Sequence, residues 1–315
     1  MRIATVWFGA SMELMMNTER PSTRYANIDL WDPAEILEGM IEAQFAAASA
    51  VREARPQLER AALAMAARIA DEGRLVYAGA GTSGRLAVQD GAELLPTFGW
   101  PQDRLLLLIA GGREALLRSV EGAEDDIEDA VRNIRQSEIN AKDALIAVAA
   151  SGTTPFTLTC MREAKARGAL TIGLANNPGT PLVLEAEHPI LLDTGAEPIA
   201  GSTRMKAGTA QRIALTLLSS LLMIRLGRIY AGLMVDLQAV NQKLSRRSEE
   251  ILRRLSGRGA EEIRAALQKA NGSVKLAALL LRGCDPGRAS ALLEQTRGNL
   301  RAALELMDRP TSDTA

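Results

Sequence analysis

The chain has 315 residues, of which 47% are hydrophobic, 24% charged and 3% aromatic, with a formal net charge of −1. That length buries one large core or two modest ones, and the charge and aromatic content offer no grip for nucleic acid, an anionic membrane surface or stacked bases. One histidine, His188, excludes a two-histidine metal site, and two cysteines, Cys160 and Cys284, give no disulfide framework and fit a reducing, cytoplasmic compartment.

Met1 to Met16 is mildly apolar but too short to span a bilayer. With one Arg, an early Glu13 and no cleavage site it does not read as a signal peptide, so residues 1–17 are assigned as an N-terminal extension. Pro33 to Asp71 reads as helix, with Asp32 at the N-cap and Pro56 dividing it in two. Arg74 to Ala78 is a short apolar strand that runs into Gly79-Ala80-Gly81-Thr82-Ser83-Gly84, followed by a helix from Arg85 to Leu94. Arg104 to Ala110 is a second strand, and the acidic stretch Glu114 to Ser137 reads as one helix. A third strand, Ala144 to Ala149, leads into Ser151-Gly152-Thr153-Thr154-Pro155 and a helix over Phe156 to Arg167 that Gly168 ends.

Leu170 to Leu174 is the next strand, then Asn176-Asn177-Pro178-Gly179, then a last short strand from Pro189 to Asp193 with His188 in the loop before it. Gly201-Ser-Thr-Arg-Met-Lys-Ala-Gly-Thr-Ala-Gln211 follows, ahead of the apolar run Ile213 to Ile224. Leu215 to Leu226 is too short for a membrane span and reads as a buried helix. From about Met234 the chain reads as wholly helical, and Leu267, Gly272, Val274, Lys275 and Ala277 match Leu293, Gly298, Leu300, Arg301 and Ala303 at one constant offset. That repeat predicts two similar helix pairs, with Pro310 to Ala315 frayed.

Short, unalternated apolar strands separated by helices mean a buried parallel sheet, so the fold class is α/β, a doubly wound five-stranded parallel sheet. Ligands of such sheets sit at the carboxyl ends of the strands, where all three Gly/Ser/Thr loops fall. The third loop, before its helix, has the pattern of a helix start that holds an anion, without Walker A spacing. Gly79 to Gly84 also fits G-x-G-x-x-G, which leaves three readings. One is a dinucleotide loop, which lacks the acidic residue after the next strand and has Arg113 there instead. The others are a bare strand–helix turn, and a cradle for a terminal phosphate, which Thr82 and Ser83 favour. Ser151 to Pro155 is equally open between helix capping and phosphate binding. The carboxylates Asp90, Glu93, Glu121, Glu124, Asp125 and Asp126 read as solvated surface or as catalytic acids, and spacing singles out none of them.

Three segments resemble the N-acetylmuramic acid 6-phosphate etherase family: Leu75-Val-Tyr-Ala-Gly-Ala-Gly-Thr-Ser-Gly-Arg-Leu-Ala, Val120-Glu-Gly-Ala-Glu-Asp, and Gly201 to Gln211. The resemblance runs from about Thr18 to the C-terminal helices and implies a sugar isomerase (SIS) domain. It implies domains at 18–234 (SIS, catalytic) and 235–315 (small, helical), cleavage of the D-lactyl ether of the substrate, no cofactor, no metal and a homodimer. It also implies Glu93 and Glu124 as the proton carriers, with Thr82, Ser83, Ser151, Thr153, Ser202, Thr203 and Lys206 around the phosphate of a phosphorylated amino sugar. A sugar-phosphate-responsive regulator and an aldose–ketose isomerase are the alternatives on the same fold. Departures from the family pattern fall at Thr18-Glu19-Arg20-Pro21-Ser22-Thr23, which is shortened, at Asp90-Gly-Ala-Glu-Leu-Leu-Pro-Thr, and at Asn176-Asn177-Pro178 in place of Cys-Asn-Pro.

Overall fold

The computed structural model describes residues 16–237 and 242–309, so most of the assigned N-terminal extension and the final residues from Pro310 lie outside the described residues. The chain forms two compact units. One comprises Met1–Gly91 and Asp103–Ser219, the other Ala92–Gln102 and Ser220–Ala315.

In the first unit, helices α1 (Pro33–Glu53) and α2 (Arg55–Ile69) meet at Ala54, where Pro56 in the first turn of α2 cannot continue a preceding helix. Five parallel strands follow: β1 (Leu75–Gly79), β2 (Leu105–Ile109), β3 (Ala144–Val148), β4 (Leu170–Ala175) and β5 (His188–Leu191), in the order β2-β1-β3-β4-β5. Leu75 pairs with Leu105 on one side and Ala144 on the other. Strands β1, β3 and β4 are buried along their whole length, which is why they read as continuous apolar runs. Val76, Ala78, Leu145 and Ala147 pack on one face against α5 (Ile127–Gln136) and α6 (Pro155–Ala166) through Ala130, Ile134, Phe156, Cys160 and Met161. Alternation sends Tyr77 and Ile146 to the other face. Burial pushes the Cys160 thiol well above its usual range, so it is an inert core atom.

Helix α3 (Gly81–Ala92) begins inside the glycine motif, four residues earlier than the sequence reading placed it. Gly81 supplies a left-handed φ of 54° and the Gly84 amide already donates to Ala80 O. The acidic stretch is a second correction: Glu114 to Ser137 is not one helix. It is a 3-10 turn over Gly112–Leu116, a loop, a second 3-10 turn over Ala123–Asp125, and then α5. Gly122, at φ 71°, breaks the helical path, and Asp126 starts α5 by accepting the Asp129 amide at 2.8 Å. His188 is a third: it opens β5, half-buried, rather than lying in a surface loop. Short α7 (Pro181–Glu185) links β4 to β5, and α8 (Lys206–Arg225) follows the third loop. Among the described residues α8 alone is long and apolar enough to cross a membrane, yet 56% of its apolar window is buried inside the protein.

The second unit is not wholly helical. Between α8 and the terminal helices the chain makes a two-stranded hairpin, β6 (Ile229–Tyr230) and β7 (Leu233–Met234). Its two turn residues, Ala231 and Gly232, both have positive φ, as a type I′ turn demands. Alanine rarely takes that conformation, so the turn carried no recognisable signal. Among the described residues five helices follow the hairpin: α9 (Gln242–Ser256), α10 (Ala260–Lys269), α11 (Val274–Leu281), α12 (Pro286–Gln295) and α13 (Leu300–Met307). Their shared core contains Leu252, Ile263, Val274, Ala277, Leu279, Leu300 and Ala303.

The repeat is structural. Asn271 and Gly272 after α10, and Arg297 and Gly298 after α12, are all left-handed. Each glycine amide closes the same bond, to Leu267 O at 2.9 Å and to Leu293 O at 2.7 Å. The next helix is capped in each case by a side chain, Ser273 to the Leu276 amide and Asn299 to the Ala302 amide. The matching cations Lys275 and Arg301 both reach the hairpin segment, Lys275 to Asp236 at 2.5 Å and Arg301 over the Tyr230 ring at 4.9 Å.

Candidate functional site

With strand order β2-β1-β3-β4-β5, the chain reverses its direction of travel across the sheet between β1 and β3. That is the switch point at which doubly wound sheets hold ligands. The two loops that flank it carry Thr82 and Ser83 after β1, and Ser151 and Thr153 after β3. Gly79 and Gly84 bring the first loop close. A Cβ on Gly84 would sit 2.8 Å from Gly79 C, and one on Gly79 would sit 3.0 Å from Val148 O. These glycines are required by packing of helix start on strand end. The first turn of α3 then presents the Gly81, Thr82 and Ser83 amides, which have no partner within the helix.

The second loop turns on Gly152, at φ 73°, against which Thr180 Oγ1 leaves no room for a Cβ. Ser151 Oγ lies 3.2 Å from Thr154 Oγ1 and accepts the Thr153 amide at 3.2 Å. Thr154 stands at the N-cap of α6 but its side chain caps nothing, so simple capping does not account for these hydroxyls. The third loop reaches the same edge from β5. A Cβ on Gly208 would lie 3.6 Å from Thr82 Cγ2, which puts the first turn of α8, opened by Lys206, beside the first loop, with Ser202 and Thr203 just ahead of it in the chain.

At the start of α8 an anion is already in place, and it belongs to the protein. Glu197, fully buried, accepts the Lys206 amide at 3.1 Å and the Ala207 amide at 2.8 Å. The Gly208 amide goes to Thr203 O at 2.8 Å. The expectation that these amides hold a ligand anion is therefore corrected: the protein's own Glu197 carboxylate takes them. Burial pushes the Glu197 carboxyl up, against the pull of the two amides and Lys206. Burial likewise pushes Lys206 down, opposed by Glu197.

Geometry sets two of the weighed carboxylates apart, Asp90 and Asp126, and leaves Glu93, Glu121, Glu124 and Asp125 alike in exposure. Asp90 is buried, accepts the Tyr77 hydroxyl at 2.8 Å and lies 3.6 Å from Arg212 Nη1, all within the first unit. Burial raises its carboxyl, against hydrogen bonds from Tyr77 and Ser219. Asp126 caps α5, and Asp129 pairs with Arg132 and Asn133. Glu124 instead is exposed on the 3-10 turn beyond β2. That turn is seated by Gly111, whose Cβ would fall 2.9 Å from Val120 and 3.2 Å from Ala123. A cavity of about 790 Å³ runs beside β2 and is lined by Gly111, Arg113, Glu121, Ala123 and Asp129, below this turn rather than at the hydroxyl loops. Glu93 belongs to the second unit. It is exposed at the joint between α3 and α4 (Leu94–Phe98), where its carbonyl accepts the Thr97 amide.

Two family models match: the glucokinase regulatory protein N-terminal SIS domain over residues 57–165, and the SIS domain over residues 125–221. The N-acetylmuramic acid 6-phosphate etherase of Deinococcus radiodurans is 48% identical over 288 residues, covering 91% of this chain and 94% of that protein. The one from Streptomyces avermitilis is 43% identical over 295 residues, 93% and 95% of the two chains. The chain belongs to the N-acetylmuramic acid 6-phosphate etherase family. Among solved structures, the chain is similar to the phosphoheptose isomerase of Francisella tularensis at 19% identity and TM-score 0.43, over 66% of this chain and 100% of that one.

Five buried polar groups near the loop ends are not among the expected site residues: Glu197, Asn176, Asn177, Gln211 and Thr18. Asn176 bonds Leu192 O and Gln211, while Asn177 bonds Thr18 and Ala150 O. The sequence places Thr18, Asn176, Asn177 and Gln211 in motif segments and leaves Glu197 unmarked, but gives none of them a partner, because a polar residue in a loop reads as solvated until the fold buries it.

Proposed function

We propose that this chain is a carbon–oxygen lyase that cleaves the D-lactyl ether of N-acetylmuramic acid 6-phosphate, with water, into N-acetylglucosamine 6-phosphate and D-lactate. An alkyl ether resists direct hydrolysis. In the ring-opened sugar, C1 is an aldehyde and acidifies the C2 proton. A carboxylate removes that proton, and the C3–O bond breaks with its electrons leaving on lactate, which takes up a proton. Water then adds to C3 of the conjugated intermediate and a proton returns to C2, so atoms balance without redox change, metal or cofactor. Glu93 is assigned the C2 proton, and Glu124 the protonation of departing lactate and activation of the incoming water.

The phosphoryl group is assigned to Thr82 and Ser83 with the first-turn amides of α3, to Ser151 and Thr153, and to Ser202, Thr203 and Lys206. One observation carries this reading: two hydroxyl-bearing loops flank the β1/β3 switch point, with a third alongside, in a chain of the etherase family. Of the acids weighed in the sequence, Asp90 and Asp126 are engaged in the fold, while Glu93, Glu121, Glu124 and Asp125 are exposed, and the choice of Glu93 and Glu124 among these rests on the family resemblance. We also assign the protein to the cytoplasm, in keeping with two buried free cysteines, and to a homodimer.

The test is release of D-lactate from N-acetylmuramic acid 6-phosphate, with solvent ¹⁸O entering C3. Glu93→Gln and Glu124→Gln should each lose about 10²-fold or more in turnover and still bind the sugar phosphate. Undiminished turnover in either variant removes that residue from the mechanism. The match to the glucokinase regulatory protein SIS domain supports a second reading, a sugar-phosphate-responsive regulator, which predicts binding without lactate release.

A further inference from the structure

Thr18 lies 159 residues ahead of Asn177 and is fully buried against it. Its amide donates to Asn177 Oδ1 at 3.2 Å, and its hydroxyl oxygen accepts from Asn177 Nδ2 at 3.0 Å. The second Nδ2 hydrogen goes to Ala150 O at 2.9 Å. Thr18 O in turn accepts the Gly201 amide at 3.0 Å. Ala150 immediately precedes Ser151, and Gly201 immediately precedes Ser202, so this one pair ties the chain just upstream of two separate hydroxyl loops.

The orientation of the Asn177 amide follows from chemistry. Ala150 O only accepts and the Thr18 amide only donates, so exchanging the oxygen and nitrogen would set like against like at both contacts. The loops themselves need such an anchor. Gly201 is held at φ 76° with a Glu19 carboxylate oxygen 2.8 Å from where a Cβ would stand, and Gly152 is held at φ 73° against Thr180, whose hydroxyl donates to Asn177 O at 3.1 Å.

We infer that Thr18 and Asn177 are positioning residues for the phosphoryl grip, setting the Ser151 and Ser202 loops in register with each other. The inference rests on the phosphoryl assignment above. Thr18→Val keeps the side-chain shape and removes only the hydroxyl. It should raise KM for N-acetylmuramic acid 6-phosphate, and Kd for inorganic phosphate, by about tenfold while kcat changes by less than about threefold. Thr18→Ser, which restores the oxygen, should return both constants to near wild type. Asn177→Asp, which keeps the acceptor for the Thr18 amide but loses both donors and sets an oxygen against Ala150 O, should raise both constants at least as far as Thr18→Val.

If these variants do not fold, the wild-type protein carries the test. Saturating N-acetylglucosamine 6-phosphate should slow hydrogen exchange at the Thr18 and Gly201 amides. An unchanged KM and phosphate Kd in Thr18→Val, or exchange at those two amides indifferent to ligand, overturns the inference. Failure of the wild type to release lactate while it still binds sugar phosphate would instead overturn the etherase reading and leave the anchor standing.

Discussion

Lys206 is buried at the start of α8 with its amide committed to Glu197, and burial holds its ammonium below the ordinary lysine range. If it grips the phosphoryl group, the bound anion favours the protonated form and raises that value again. Binding then takes up a proton at pH values between the free and the bound pKa. Affinity for N-acetylglucosamine 6-phosphate should therefore be flat at neutral pH and fall as pH rises, beginning below the 10.5 of an ordinary lysine. In Lys206→Arg the fall should vanish, because guanidinium stays charged throughout. A pH titration of Kd by calorimetry checks this, and an identical alkaline limb in the arginine variant would release Lys206 from the phosphate. The residue types at the hydroxyl loops were legible in the sequence, since Ser, Thr and Gly after an apolar strand have few other uses. The role of Glu197 was not, because a carboxylate nine positions ahead of a helix reaches its amides only after the intervening loop has folded back.

Element boundaries show the same division. The strands were read to within a residue or two because full burial leaves a continuous apolar run. The start of α3 was misplaced because glycine carries poor helix propensity. Here glycine is demanded by close approach. A Gly79 Cβ would stand only 2.9 Å from the Gly84 Cα, and a Gly84 Cβ would meet Ile109 at 2.9 Å. Gly84→Ala should therefore destabilise the protein by about 1–3 kcal/mol through overpacking, despite alanine's better helix propensity. It should also weaken sugar-phosphate binding, since α3 must back away from β1. Thermal melts with a binding assay decide it, and a more stable Gly84→Ala protein would contradict the packing argument. The acidic segment failed for a related reason: its charges and alanines favour helix, but one left-handed glycine, Gly122, turns the chain out and lifts Glu124 onto a turn of its own.

Taken whole, the first unit carries an apolar stripe that its own core does not use. Leu37, Ile41 and Phe45 recur every fourth residue along α1, and are 61%, 52% and 70% exposed. Leu37 and Ile41 line an open groove with Arg204 and Met205 of the Gly201 loop. An isolated apolar residue on a surface is ordinary, but a continuous stripe marks a partner surface. A second copy of the chain seated there would bury the stripe beside the candidate phosphoryl site. Ile41→Ser combined with Phe45→Ser should convert a dimer to a monomer by light scattering after size exclusion, and should raise KM. A wild type that is already monomeric at micromolar concentration would dispose of this assignment. The sequence alone settled the α/β class, the parallel sheet, the helical repeat and the hydroxyl loops, because each is a local pattern of burial or turn chemistry. Only the tertiary structure decided which carboxylates are engaged, that Glu197 occupies the start of α8, and that Thr18 closes on Asn177. Those contacts join residues remote along the chain, and their partners are chosen by the packing of the sheet rather than by any neighbouring residue.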